Sequence, residues 1–365
     1  MVTVLFYIFV ACAVIQLLYF FCFSFVLFTK SLNKKSRKIP ISVIVCAKNE
    51  EENLHQFIPF ILNQKYSNFE LVLINDASTD ATLEVMESFQ KKHQFIKIVN
   101  VENIESFWGN KKYALTLGIK AATNKHLLFT DADCKPISPL WIERMASQFE
   151  NEKSIVLGYG KYSFENSFVN FLVRFETLIT AVQYFTYAKF GAPYMGVGRN
   201  LAYTKDEFFK VNGFIKHIKL KSGDDDLFIQ EAATNENTSY TIDPHSFTTS
   251  KAPATIKAWF RQKRRHITTS SYYQFKHKFL LGLFIFSKFL VYGLGILLCW
   301  FVSLKILLPI ILIYFTSLYI VFGMASKKFH EKKLVVLLPF LDFFLLIFQF
   351  TIFSFNTFSK PSHWK

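Results

Sequence analysis

Apolar positions are unevenly distributed along this chain. Residues 1–29 carry no charged side chain, and at about 1.5 Å rise per residue a helix of that length exceeds the roughly 30 Å hydrocarbon core of a bilayer. A retained N-terminal transmembrane helix over 1–29 is expected. A cleaved leader would need a basic start, a shorter apolar core and a small-residue cleavage site, and none of these is evident. The far end, 279–359, is apolar again, punctuated by Lys288, Lys305, a basic cluster at 327–333 and Asp342. About three helices are expected there, over 279–303, 306–325 and 334–355, before a tail at 360–365. Lys288 and Asp342 fall inside those spans, where a charge must pair, snorkel or face protein. A re-entrant or interfacial path near Lys288 is the alternative for the first of the three.

Between these ends the pattern changes to short β-branched runs alternating with helical periodicity. Ile41 to Cys46 reads as a buried strand followed by a polar turn and a helix. Phe69 to Ile74 repeats the plan, with a turn over Asn75 to Thr79 and a helix carrying Leu83, Val85, Met86 and Phe89, capped by Thr79 or Asp80. A third strand, "FIKIVNV", leads to a helix with Ala114, Leu115, Gly118 and Ile119 on one side, and a fourth, "HLLFT", ends at Asp131. Such alternation implies right-handed crossovers and an α/β fold: a Rossmann-like, mostly parallel sheet with helices on both faces. The expected organisation is the anchor over 1–29, a basic linker over 30–39, a soluble domain over 40–266, an interfacial segment over 267–278 and the apolar region over 279–359.

Composition adds direction to this layout. The 365 residues are 51% hydrophobic with mean hydropathy +0.24 and a formal net charge of +15. Lys30, Lys34, Lys35, Arg37 and Lys38 follow the first span, and "SKKFHEKK" separates the last two. Positive loops stay cytoplasmic, so a multi-pass protein of the cell (inner or plasma) membrane is expected, with its soluble domain in the cytosol and both termini outside. Basic residues beside a membrane attract anionic headgroups, so the charge calls for a membrane surface and no nucleic acid. The five cysteines form no CxxC pair, so neither a disulfide framework nor a zinc site is suggested.

In parallel sheets of this kind ligands bind beyond the carboxyl ends of the strands. Three polar clusters stand there: Ala47 to Glu50, Asn75 to Asp80, and Asp131 with Asp133. Turn and cap chemistry alone accounts for the Asn75 to Asp80 cluster, although acceptors on two adjacent strand ends also suit a nucleobase and ribose. Asp131 and Asp133 leave a buried strand, and two carboxylates there would repel a nucleotide diphosphate unless Mg²⁺ or Mn²⁺ joined them. The same spacing recurs at Asp224 and Asp226, so the pattern has weight only through its position.

Asp224, Asp225 and Asp226 open a helix; one of them suffices to cap it, and crowding raises carboxylate pKa values toward those of a general base. Gly196 and Gly198 suit close backbone approach to a ligand, with Arg199 and Asn200 placed to touch it. "AWFRQKRRH" reads first as a basic amphipathic helix on the membrane surface, whose arginines also suit phosphate oxygens. The aromatic stripe over Glu165 to Tyr187 reads as packing or an interfacial helix rather than a sugar platform.

Together "VIVCAKNEEENL", "LVLINDASTDAT", "GNKKYALTLGI", "LLFTDADC", "GVGRNLAYTKDEFFKVNGF", "SGDDDLFIQ" and "QKRRH" resemble the family 2 glycosyltransferases, membrane-anchored inverting enzymes with a GT-A fold, over about 41–266. The resemblance implies transfer of a sugar from a nucleotide-diphosphate donor to a hydroxyl of a lipid-linked or glycan acceptor. It further implies that Ala47, Glu50 and Asp76 contact the nucleotide and that Lys111 takes the place of the family lysine. Asp131 and Asp133 match the DxD that binds sugar nucleotide and divalent metal, and Asp224 the base, with Asp225 the alternative. Gln262 and Arg265 correspond to QxxRW, near acceptor and diphosphate. Two residues depart from the pattern: His266 stands for the usual Trp, and Gly223 for the usual acidic residue. A transporter or channel with a nucleotide-sensing domain is the rival reading, weakened by the few spans and lack of repeats. A nicotinamide-dependent oxidoreductase lacks its GxGxxG after the first strand.

Overall fold

The computed structural model describes residues 1–29, 38–102, 111–150, 152–220 and 222–358. Lys30, Lys34, Lys35 and Arg37 of the expected linker, Gly109 and Asn110, Lys221 and the 360–365 tail lie outside the described residues.

Apolar helix α1 (Val2–Leu27) precedes β1 (Ile41–Ala47), α2 (Glu51–Leu62), β2 (Phe69–Asp76), α3 (Thr82–Gln90), β3 (Ile96–Val101), α4 (Lys111–Ala121) and β4 (His126–Asp131). β1 pairs in parallel with both β2 and β4, and β2 with β3, as the alternation predicts. The strands read as unbroken apolar runs because both faces are covered. Ile44, Val72 and Ile74 pack beneath Ala114, Leu115 and Ile119 of α4. Val43, Val45, Leu71 and Leu73 pack on the other face, against Leu54 and Ile58 of α2 and Val85 and Met86 of α3. The start of α3 differs from expectation: Asp80 accepts from Thr82 N (3.1 Å) and Thr82 Oγ1 (2.5 Å), so it orders the turn, and the helix begins beyond it at Thr82.

The second half reverses direction. After β5 (Cys134–Pro136), α5 (Trp141–Ala146), β6 (Ile155–Leu157), β7 (Gly160–Tyr162) and α6 (Phe168–Lys189), strand β8 (Leu201–Thr204) enters the sheet antiparallel to both β4 and β6. α7 (Lys205–Lys210), α8 (Asp226–Ala232), β9 (Thr238–Tyr240) and β10 (Thr248–Ser250) complete a seven-stranded sheet of order β3-β2-β1-β4-β8-β6-β9 and a small sheet β5-β10-β7.

α9 (Ile256–Ser270) runs across the expected boundary at 266, and only 271–274 separate it from α10 (Phe275–Leu298), which is followed by α11 (Leu304–Lys328) and α12 (Leu338–Phe358). Among the described residues four helices, Val2–Leu27, Phe275–Leu298, Leu304–Lys328 and Lys333–Phe358, are long and apolar enough to cross a membrane. α1 packs along α10, where the Gln16 amide donates to Phe284 O (2.7 Å) and Ser287 Oγ (2.8 Å). Lys288 and Asp342 resolve each other's burial: Nζ lies 2.5 Å from Oδ1, and Tyr292 donates to Oδ2 at 3.0 Å. α10 is a continuous helix through Lys288. The loop after α11 is tied to the soluble domain through buried Glu331, which pairs with Arg174 of α6 and Lys161 of β7.

Candidate active site

The carboxyl ends of β1, β2 and β4 open into a cavity of about 1700 Å³. Their turns are braced against one another. Asn49, in the left-handed region at φ 56°, accepts from Thr79 N (2.8 Å) and donates its own N–H to Ser78 Oγ (3.0 Å). Glu50 N donates to Thr82 Oγ1 at 2.9 Å. This bracing fixes Glu50 and Asp76 on the cavity wall, where burial raises the Asp76 pKa against the pull of Lys48 and Lys111. Ala47 is the exception among the expected nucleotide contacts. Its side chain is buried in the core between α2 and the sheet, because alternation along β1 turns the odd positions away; Cys46 and Lys48 face the cavity instead.

Asp131 is the last residue of β4 and Asp133 follows at the start of the next turn. One ligand atom from each of Asp131, Asp133 and Cys134 falls within a 4.8 Å cluster. Burial drives the Cys134 thiol well above its ordinary pKa, and Sγ donates to Asp133 Oδ1 at 3.3 Å. The neutral thiol leaves two oxygen donors, which fit a hard divalent cation such as Mg²⁺ or Mn²⁺.

Lys111 links this pair to the second acidic cluster. Its Nζ lies 2.8 Å from Asp131 Oδ1 and 3.0 Å from Asp224 Oδ2. Burial works against its charge, but the two carboxylates outweigh it and hold the lysine protonated. The same contact draws the Asp224 pKa down against its enclosure by protein. Gly223, at φ +93°, turns the chain so that the three Asp enter α8 in this register. That conformation explains glycine where the family pattern has an acidic residue.

The three carboxylates have separate surroundings. Asp225 accepts from Gly198 N (2.8 Å) and Asp226 N (2.7 Å), and so caps α8. Asp226 accepts from Thr269 Oγ1 (2.5 Å) and Tyr273 OH (2.6 Å), tying α8 to α9. Asp224 is the member paired with a side-chain cation, Lys111. Lys112, which the sequence did not single out, donates to the carbonyls of His217 (2.7 Å), Leu220 (3.1 Å) and Ser222 (2.7 Å) and so shapes the approach to Gly223. A lysine adjacent to the family lysine carries no sequence signal for such a role.

Asp225 is pushed up to about 7, first by burial and then by Asp224 and Asp226 on either side. Its ordinary value is about 3.9, so between roughly pH 4 and 7 the folded protein keeps a proton that the unfolded chain has lost. Stability from this group therefore falls as pH rises through that window. In chelator, the denaturation midpoint of the wild type relative to Asp225→Asn should decline steadily from pH 5 to 7.5, followed by tryptophan fluorescence. A difference that does not change with pH would contradict the environment described.

Arg199 lies 4.2 Å from the Tyr162 ring centre, and Gln262 of α9 donates to the Tyr162 hydroxyl at 3.3 Å. Both face the cavity with Arg265 and His266. Asn200, expected beside the ligand, is instead buried: it donates to Tyr159 O and Ser246 O and accepts from Trp141 Nε1. Gly196 likewise packs inward, since a Cβ there would lie 3.0 Å from Leu201, whereas Gly198 faces the carboxylates. Most of α6 is core, in line with the packing reading of its aromatic stripe, yet Glu176, Thr180 and Gln183 form one wall of the cavity.

The sequence matches the descriptions "Glycosyl transferase family 2" over residues 42–208 and "Glycosyl transferase family group 2" over 126–356. It is 33% identical over 147 residues to an uncharacterized glycosyltransferase of Haemophilus influenzae, covering 40% of this chain and 42% of that one. A cholesterol galactosyltransferase of Borreliella burgdorferi is 32% identical over 96 residues, 26% of this chain and 25% of that one. The chain spans less than half the length of the first curated relatives it matches. In fold it is similar to a mannosyltransferase of Pyrobaculum calidifontis solved with GDP-Man and Mn²⁺, at TM-score 0.63 and 15% identity over 99% of both chains.

Proposed function

This chain belongs to glycosyl transferase family 2, and from that premise we propose that it is a membrane-bound inverting hexosyltransferase, moving a sugar from a nucleotide-diphosphate donor to a hydroxyl of a lipid-linked or glycan acceptor. The observation that carries the reading is the convergence of Asp131, Asp133, Lys111, Arg199, Arg265 and Asp224 on one cavity. Its members divide into a cation-holding pair, an anion-holding wall and a carboxylate able to take a proton. A hexosyl donor is favoured by the galactosyl activity named for the Borreliella relative.

In this mechanism Glu50 and Asp76 accept from donor N–H and hydroxyl groups, and Arg199 and Arg265 hold diphosphate oxygens. Asp131 and Asp133 would hold the divalent cation, which supplies positive charge opposite the departing diphosphate. Asp224 takes the proton of the acceptor hydroxyl as its oxygen bonds to the anomeric carbon. The bond from that carbon to the diphosphate breaks with its electron pair, and configuration inverts. Lys111 bridges Asp131 and Asp224 and keeps Asp224 ionised for the acceptor. The basic residues Lys327 and Lys328 at the end of α11 and the Lys38 side of α1 favour placing the domain on the cytosolic face of the cell membrane.

The test is a donor screen on the full-length protein in native-membrane vesicles, with UDP- and GDP-hexoses and Mg²⁺ or Mn²⁺. Release of nucleoside diphosphate, abolished by chelator and restored by the metal, is expected. No turnover of any donor would reject the reading, and turnover indifferent to chelation would reject its metal.

A further inference from the structure

The cavity does not end at the catalytic carboxylates. It continues past Gln183 of α6 and between α10 and α12, where Ile285, Phe286 and Phe289 face Phe350 and Phe353. These five side chains are exposed, the two largest openings being Phe286 at 61% and Phe353 at 65%. One continuous space thus joins a polar site to an apolar mouth.

The path of α12 shows where that mouth lies. Its length and composition permit a crossing, but its contacts do not follow one. Phe344 packs on Phe168 of α6 (5.3 Å), Phe348 stacks on Trp259 of α9 (3.8 Å, 8°) and Phe355 meets Phe260 (5.5 Å). Near its end Asn356 Oδ1 accepts from Arg264 Nε at 2.7 Å. Arg261, Lys263, Arg264 and Arg265 keep α9 out of the hydrocarbon. Fourteen residues separate Asp342 from Asn356, about 21 Å of helix; a crossing would carry Asn356 far from α9. Glu331, shortly before the helix, is held by Lys161 and Arg174 of the soluble domain. α12 therefore stays against α6 and α9 of the soluble domain along its length, while its other side, with α10, frames the apolar mouth of the cavity.

Resting on the function proposed above, we infer that the acceptor is an uncharged lipid alcohol, reaching Asp224 sideways from the bilayer through the window framed by α9, α10 and α12. An apolar chain fits between the phenylalanines while its hydroxyl enters the polar site. The base at the inner end of the window selects the head: a phosphate oxygen needs no base, whereas an alcohol hydroxyl does, and Asp224 stands on the cavity wall to take its proton. In the step itself the alcohol proton passes to Asp224, the alcohol oxygen bonds to the anomeric carbon, and the nucleoside diphosphate leaves with the electron pair.

Gly282 offers a direct test, because a side chain there would meet nothing within 4 Å and would project into the window. Gly293, further along α10 and outside the cavity, has the same open space and serves as control. Labelled donor would be supplied to the full-length protein in vesicles of native-membrane total lipid, before and after acetylation of the lipid hydroxyls. Wild type and Gly293→Trp should label the organic phase equally, with at least a tenfold loss for Gly282→Trp and a similar loss for any protein on acetylated lipid. If Gly282→Trp fails to fold, Phe353→Glu at the opposite lip should give the loss. Undiminished transfer in the window variants overturns the portal; undiminished labelling of acetylated lipid, or only water-soluble product, overturns the lipid alcohol. Absence of donor turnover by the wild type under every condition would instead reject the underlying function.

Discussion

Asp224→Asn is expected to lower sugar transfer by roughly 10²- to 10⁴-fold, the usual range for loss of a general base, while donor binding stays near wild type. Asparagine keeps the size and one acceptor oxygen but cannot take the acceptor proton. Lys111 would then pair with Asp131 alone, leaving the donor side of the cavity charged as before. The assignment to Asp224 rather than its neighbours rests on occupancy. Asp225 spends both oxygens on backbone N–H groups, and Asp226 is tied to Thr269 and Tyr273. Asp224 is also kept ionised by Lys111, so it meets an acceptor ready to receive a proton. Initial rates and donor affinity should be measured for Asp224→Asn and Asp225→Asn side by side. An active Asp224→Asn beside an inactive Asp225→Asn would move the role to Asp225, whose higher pKa suits proton transfer near neutral pH.

Much of this site was legible because strand ends in a parallel sheet are predictable from hydrophobic runs. Asp76 and Asp131 close β2 and β4, and both line the cavity at the strand ends where the sequence expected them. The failures have one physical origin: a sequence shows which residues leave a strand, but not which way a side chain points once the backbone turns. Ala47 therefore faced the core and Asn200 was consumed by Tyr159, Ser246 and Trp141. Lys112 was invisible for a related reason, since its partners are three carbonyls more than a hundred residues away. The apolar ends were legible as helices by composition, and Lys288 with Asp342 as charges needing partners. The course of α12 was not, because hydropathy reports length and not direction, and only the aromatic contacts with α6 and α9 reveal its path.

The cation shared by the two acidic clusters carries the second large effect. Asp131→Asn should lower transfer by about a hundredfold or more, the several kcal/mol that a metal contributes to transition-state charge, and should raise the Mn²⁺ concentration needed for half-maximal rate. The loss has two parts. One carboxylate of the Asp131–Asp133 pair disappears, and Lys111, released from its contact at 2.8 Å, shifts wholly to Asp224. A base held more tightly by a cation is less able to accept a proton. The second part acts through Lys111 on Asp224 and vanishes once Asp224 is replaced, so the two losses should add only in part. The double variant Asp131→Asn/Asp224→Asn should fall below Asp224→Asn by the metal's share alone, short of the product of the two single losses. Rates across a Mn²⁺ titration for the three variants decide the matter. Fully additive losses would separate the two carboxylates energetically, and wild-type turnover of Asp131→Asn at low Mn²⁺ would remove Asp131 from the metal site.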